Sequence, residues 1–173
     1  MKILVINGHP DKESFCQEIF RTIVENIDSN HHELESINLN EIDFDPVLRY
    51  GYRKRMEEDS FILRSQELIQ WADHFIFVYP IWWSSMPSLL KGWIDRVFTP
   101  GIAYSANNQG SFILNYLRGQ QFKKLLKGKS ASIYATSMAP TWWYKAFSGP
   151  ISIPDSYGIS VLKNAVLNHC GIK

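Results

Sequence analysis

The chain is 173 residues long, 45% hydrophobic and 20% charged, with a formal net charge of +1. A length of this order makes one domain that buries roughly 70% of its unfolded surface. The near-neutral balance argues against a nucleic-acid partner, because the basic stretches are only the short "YRKR" at 52–55 and "KKLLKGK" at 123–129, both read as solvated faces.

Two cysteines, Cys16 and Cys170, form neither a disulfide framework nor a metal-ligand spacing, so free thiols in a reducing cytoplasm are expected. The apolar run in "MKILVING" is too short for a signal peptide or a membrane span, and no membrane insertion is expected. His31 and His32 sit in a polar link without partner ligands at zinc spacing, so no metal site is assigned.

"KILVIN" at 2–7 is an unbroken apolar run of strand length, suited to a strand covered on both faces. Ile19, Phe20, Ile23, Val24 and Ile27 then recur at helical spacing and predict a helix over roughly 13–28. "ELESINL" at 33–39 alternates as a second strand. After an irregular link with Pro46, residues 57–72 carry Phe61, Ile62, Leu68, Ile69 and Ala72 on a second helix. "HFIFVYP" at 74–80 is a third buried strand. "SSMPSLLKGWIDRVF" opens a third helix, with Ser85 expected as N-cap and Pro87 in the first turn. Residues 99–129 are mixed and turn-rich, "SASIYATS" at 130–137 is a fourth strand, and 157–170 repeat the helical period before a C-capping Gly171.

This alternation predicts a single α/β domain: a parallel sheet of four to five strands in the order 2-1-3-4-5, with helices on both faces in a three-layer sandwich. Ligands in such sheets bind beyond the carboxyl ends of the strands, where connections diverge to opposite faces. That point lies between strands one and three, so "GHPDKESF" and "YPIWWSSMP" are expected side by side.

The first loop suits an anion. Amides opening a helix lack partners, and the His9 ring and Ser14 hydroxyl can donate to phosphate oxygens. Read alone, His9 is as well a turn residue and Ser14 a simple N-cap. Neither G-x-x-x-x-G-K-[ST] nor G-x-G-x-x-G occurs, which argues against a nucleoside-triphosphate loop and a Rossmann fingerprint. The second loop suits a flat ring, with the amides of 81–83 reading its edge between Trp82 and Trp83. Core packing is the alternative for both tryptophans. A phosphate cradle beside a ring platform reads as a flavin nucleotide site.

"HPDKESF", "WADHFIFVYPIWWSSMPSLLKGWIDRVFTPGIAY", "LLKGK" and the closing "HCG" resemble the flavodoxin-like NAD(P)H:quinone oxidoreductase family, which includes quinone reductases, modulator-of-drug-activity B proteins and ancillary flavoproteins of potassium efflux systems. The resemblance implies bound FMN, with FAD the alternative, and a homodimer with the flavin at its interface. It also implies hydride transfer from NAD(P)H through the flavin to a quinone. His9, Ser14, Phe15 and Cys16 match phosphate-loop positions; Pro80, Ile81, Trp82 and Trp83 match the segment along the flavin ring. Thr136 and Ser137 match residues near its pyrimidine edge, and Tyr144 matches a tyrosine beside the flavin, the catalytic candidate.

The family's histidine shortly after that tyrosine has no counterpart in "FSGPISIPD", and Ser84 stands where some relatives carry an aromatic ring. Relatives also continue into a further strand and helix that these 173 residues do not hold. Tyr144, Thr136 and loop amides are the donors expected to replace the missing histidine. The competing expectation is a non-catalytic flavin-binding subunit of a membrane transporter. A one-electron flavodoxin carrier is disfavoured, since such carriers are typically acidic and this chain is not.

Overall fold

The structure is a computed structural model that describes residues 1–106, 122–138 and 158–173. In chain order the elements are β1 (Lys2–Asn7), α1 (Phe15–Asn26), β2 (Glu33–Asn38), a 3-10 turn (Leu39–Glu41), α2 (Ser60–Trp71), β3 (His74–Pro80), α3 (Ser88–Val97), β4 (Tyr104–Ala106), β5 (Phe122–Lys124) and β6 (Ser130–Thr136). A π-helical stretch, Val161–Leu167, runs into a last α-helical turn, Asn168–Cys170; together these are α4.

The main sheet has the order β2-β1-β3-β6, parallel at every pairing, which is the expected order with β6 as its fourth strand. β4 and β5 pair antiparallel in a separate two-stranded ribbon. Side-chain alternation along the strands explains why both faces need cover. Ile3, Val5 and Ile76 point to one side, where Phe20, Ile23, Val24 and Ile27 of α1 and its C-cap bury them. Leu4, Ile6, Phe75, Phe77 and Tyr79 point to the other side, against Leu68 and Ile69 of α2 and Leu90, Trp93, Ile94 and Val97 of α3. Each such fully buried side chain contributes about 1.5–3 kcal/mol of transfer free energy. Trp93, wholly buried, satisfies its indole by donating to Ser65 Oγ at 3.1 Å.

Because α1 follows β1 onto one face and α3 follows β3 onto the other, the chain diverges between these adjacent strands. That is the switch point.

Several local details differ from expectation. Ser85 does not cap α3: its amide and carbonyl are both engaged with Trp82, at 3.0 and 2.9 Å, and Pro87 takes the cap position without a side-chain bond. Asp59, not predicted as a cap, accepts from the Phe61 and Ile62 amides and starts α2. Arg96 is buried and donates to the Asp45 carbonyl at 2.5 Å, while Asp95 pairs with Lys91 at 2.7 Å. Gly171 ends α4 in the left-handed conformation, φ +97°, as its position predicts.

Candidate functional site

The crevice is built at the carboxyl ends of β1, β3 and β6. Gly8 leaves β1 with its amide on the Val78 carbonyl at 2.8 Å, and lies so close to α3 that a Cβ there would sit 2.8 Å from Leu90 Cδ2. Only glycine lets the loop pass this near the helix. The chain then turns through His9 into Ser14, the N-cap of α1, whose Oγ accepts from the Gln17 amide at 3.2 Å. The Phe15 and Cys16 amides have no acceptor among the described residues. The Ser14 hydroxyl proton remains available because the cap uses only its oxygen as acceptor. His9 Nδ1 accepts from the Asp11 amide at 2.9 Å, so the neutral ring carries its proton on Nε2. Burial pushes the His9 pKa below its usual value, against the opposing pull of Asp11, and so favours this neutral form. Amides, a hydroxyl and an imidazole N–H at a helix N-terminus form a donor set that fits the phosphate end of a flavin nucleotide.

The second loop stands beside the first. The His9 and Trp82 rings meet edge to face, 5.3 Å between centroids and 74° between planes. Trp83 and Ser84 have φ of +48° and +57° and are bracketed by the paired Trp82 and Ser85, so they occupy the two central positions of a tight turn. Left-handed backbone costs a non-glycine residue about 1–2 kcal/mol. Strain of this kind clusters where function retains it. Its result is a fully exposed Trp83 and a half-exposed Trp82, at 101% and 46%, which removes core packing as their role.

The expectation that the amides of 81–83 read a ring edge is corrected in part. Ile81 N–H donates to the Thr136 carbonyl at 2.7 Å and Trp82 N–H to the Ser85 carbonyl at 2.9 Å. The Trp83 amide alone of the three lacks an acceptor among the described residues.

The third side is the end of β6. Cys16 Sγ lies 3.2 Å from Thr136 Oγ1. Burial raises the Cys16 pKa, so its S–H persists and can donate to Thr136, leaving the threonine proton for another acceptor. Pro80 is buried at the base of the crevice, Ile81 is half-buried above it, and Ser137 is exposed at the rim beside Met138. Gly158, with φ +86°, returns beneath this loop and accepts from Tyr79 Oη at 2.9 Å. His9 with Trp82, Cys16 with Thr136, and Ile81 with Thr136 are thus brought into contact at the carboxyl ends of β1, β3 and β6, while Ser14, Phe15, Pro80, Trp83 and Ser137 are their chain neighbours in the same three segments. Tyr144, with Trp142 and Trp143, lies outside the described residues.

Beneath the first loop is an unpredicted feature: an amide cluster of the buried Asn7, Gln17 and Asn38 with the half-buried Asn40. Asn40 Oδ1 is buried without a partner among the described residues, which costs about 1–3 kcal/mol. The alternative amide orientation is worse, because Asn40 Nδ2 faces two acceptors, Gln17 Oε1 and the His9 carbonyl. The signal in the sequence is an asparagine ending each of two strands, Asn7 and Asn38.

A cavity of about 420 Å³ lies elsewhere, against α2 and α3, with Arg96 among its lining and charges of both signs around it. It shares no residue with the crevice. Among the described residues there is no cluster that could hold a metal ion, and no helix long and apolar enough to cross a membrane.

Parallel strands, a divergence of connections at β1 and β3, and an anion-type donor set in the gap define a doubly wound α/β protein with a nucleotide-type crevice. The family model described as flavodoxin-like fold matches residues 1–173, and the chain belongs to that family. Among its relatives, an uncharacterized NAD(P)H oxidoreductase of Haemophilus influenzae is 30% identical over 179 residues, covering 100% of this chain and 80% of that protein. The ribosyldihydronicotinamide dehydrogenase [quinone] of Mus musculus is 26% identical, covering 99% and 78%. The crystal structure of Smu.1420 from Streptococcus mutans superposes with a TM-score of 0.75 at 33% identity, covering 100% of this chain and 83% of that one.

Proposed function

We propose that this chain is a flavin-dependent oxidoreductase that carries hydride from NAD(P)H, by way of bound FMN, to a quinone or similar acceptor. The observation that carries the reading is the meeting of three segments in one crevice: His9 against Trp82, and Cys16 against Thr136. The relatives named as NAD(P)H and quinone oxidoreductases support the same chemistry.

Flavin bound in the crevice would supply the two-electron redox chemistry. The protein's own share is positional. The α1 N-terminus, Ser14 and His9 would hold the phosphate, with the helix dipole adding about 0.3–1 kcal/mol for negative charge. Trp82 and Trp83 would wall the flavin ring and shield it from water, a positioning role that hydride transfer requires. Thr136 Oγ1, when it accepts from Cys16 Sγ, and the Trp83 amide would be donors for the polar ring edge. Tyr144 is proposed as a further donor, and a Tyr144→Phe enzyme is then reduced more slowly while flavin affinity changes little.

We assign the protein to the cytoplasm, consistent with two free, buried thiols. A homodimer covering the crevice rim is consistent with the complete exposure of Trp83 and Met138. Sedimentation of the purified chain tests the dimer, and a monomer at micromolar concentration refutes it.

The activity is tested by two half-reactions without oxygen. NADPH or NADH should bleach the flavin absorbance of the loaded protein, and menadione should restore it. Flavin that binds but is not bleached would instead indicate the non-catalytic transporter subunit.

A further inference from the structure

The amide cluster under the first loop is organised around one atom. Gln17 Oε1 accepts from Asn7 Nδ2 at 2.9 Å, Asn38 Nδ2 at 3.2 Å and Asn40 Nδ2 at 2.9 Å. A carbonyl oxygen has two lone pairs, so donors crowded onto it cannot move independently. Gln17 is itself buried, in the first turn of α1, and its backbone amide is held by the Ser14 cap.

Two of its donors grip the loop. Asn7 Oδ1 accepts from the His9 amide at 3.1 Å, and Asn40 Nδ2 donates to the His9 carbonyl at 3.2 Å. His9 is thus clamped at both ends of its backbone by side chains bonded to the same oxygen. Its ring is fixed by Asp11 N–H on Nδ1 and by the edge-to-face contact with Trp82. Capping does not require such an arrangement, because Ser14 already satisfies the helix start. A buried polar cluster with an orphaned Asn40 oxygen is a poor device for stability and a good one for fixing an orientation.

We propose that Gln17 is a positioning residue: acting through Asn7 and Asn40, it sets the His9 backbone so that Nε2–H faces the phosphate of the bound flavin. The inference rests on the flavin reading of the crevice. Its consequence is selectivity. The hub controls only the phosphate end, so it separates FMN from riboflavin and leaves the ring contacts unchanged.

The test uses Gln17→Leu and the milder Asn40→Leu, which releases the carbonyl clamp and one of the three bonds to Gln17 Oε1, and keeps a folded protein in hand if the first unfolds. Dissociation constants for FMN and riboflavin are measured by fluorescence quenching. Imidazole nitrogen NMR, with the His9 signal assigned by its loss in His9→Gln, reads the tautomer in the flavin-free chain. The expected result is FMN binding weakened about tenfold or more, riboflavin binding changed less than about twofold, and His9 moved from the Nε2–H tautomer to a mixture. Unchanged selectivity, equal weakening of both ligands, or an Nε2–H tautomer that persists in the variants would overturn the proposal. If the unsubstituted chain binds neither flavin, the reading of the crevice fails, and the tautomer measurement alone decides the role of Gln17.

Discussion

The rings of His9 and Trp82 stand edge to face, 5.3 Å apart, and join the loop after β1 to the loop after β3. Anion donors and aromatic wall are therefore a single surface. The two residues should nevertheless fail differently. Trp82→Ala removes ring contact and should weaken FMN and riboflavin alike, by about 2–10-fold for an aromatic pair worth ~0.5–1.5 kcal/mol. His9→Ala should weaken FMN and spare riboflavin. Parallel titrations with both ligands check this.

The turn at Trp83–Ser84 stores backbone strain that glycine would release. Ser84, with φ +57°, has no need of its Cβ for burial, being exposed. Ser84→Gly should stabilise the fold by about 0.5–1 kcal/mol, or roughly 1–4 °C in Tm, even after the entropy glycine loses. Calorimetry of the flavin-free proteins measures the shift, and an unchanged or lower Tm contradicts the strain.

Both thiols should be silent in the native protein. Burial pushes Cys170 up to about 11 and raises Cys16 despite its Thr136 partner. The reactive thiolate is then scarce at neutral pH. A disulfide reagent should label neither cysteine on mixing and both after denaturation; rapid labelling of Cys16 in the native chain would show an open first turn of α1.

Acid should destabilise the protein earlier than its carboxylates alone would allow. His9 and His74 have pKa values lowered by burial from the usual 6.5, so the unfolded chain binds their protons first. Their contribution is complete above about 6.5 and is lost as pH falls through the native values. Asp28 and Asp45 are depressed below 3.8 and act only in stronger acid. The urea midpoint should therefore drop between about pH 7.5 and about pH 5.5. His74→Gln, which can still bond Ser130 or Ser132, should reduce the drop.

Much of this architecture was legible in the sequence because periodicity and turn chemistry are local. The continuous apolar character of 2–7 and 74–80 marks them as strands, and the place of Ser14 before a helical stripe suits an N-cap. The two odd loops could be placed together because parallel topology fixes where connections diverge. What escaped depends on contacts between distant residues. Ser85 looks like a cap until Trp82 occupies both its backbone groups. The burial of Arg96 depends on the Asp45 carbonyl, which it meets from 51 residues away in sequence. β4 and β5 are three residues each, too short for a period to register. The Gln17 hub joins β1, α1 and the end of β2, and no spacing within one element announces it.

The central claim is that one crevice holds both the phosphate and the ring of a flavin. The direct measurement is equilibrium titration of the flavin-free chain with FMN and FAD, with mass identification of any chromophore released from the protein as purified. The account predicts micromolar or tighter uptake of FMN, quenching of flavin fluorescence by Trp82, and yellow protein that releases FMN. Colourless protein that takes up neither flavin at micromolar concentration would contradict it.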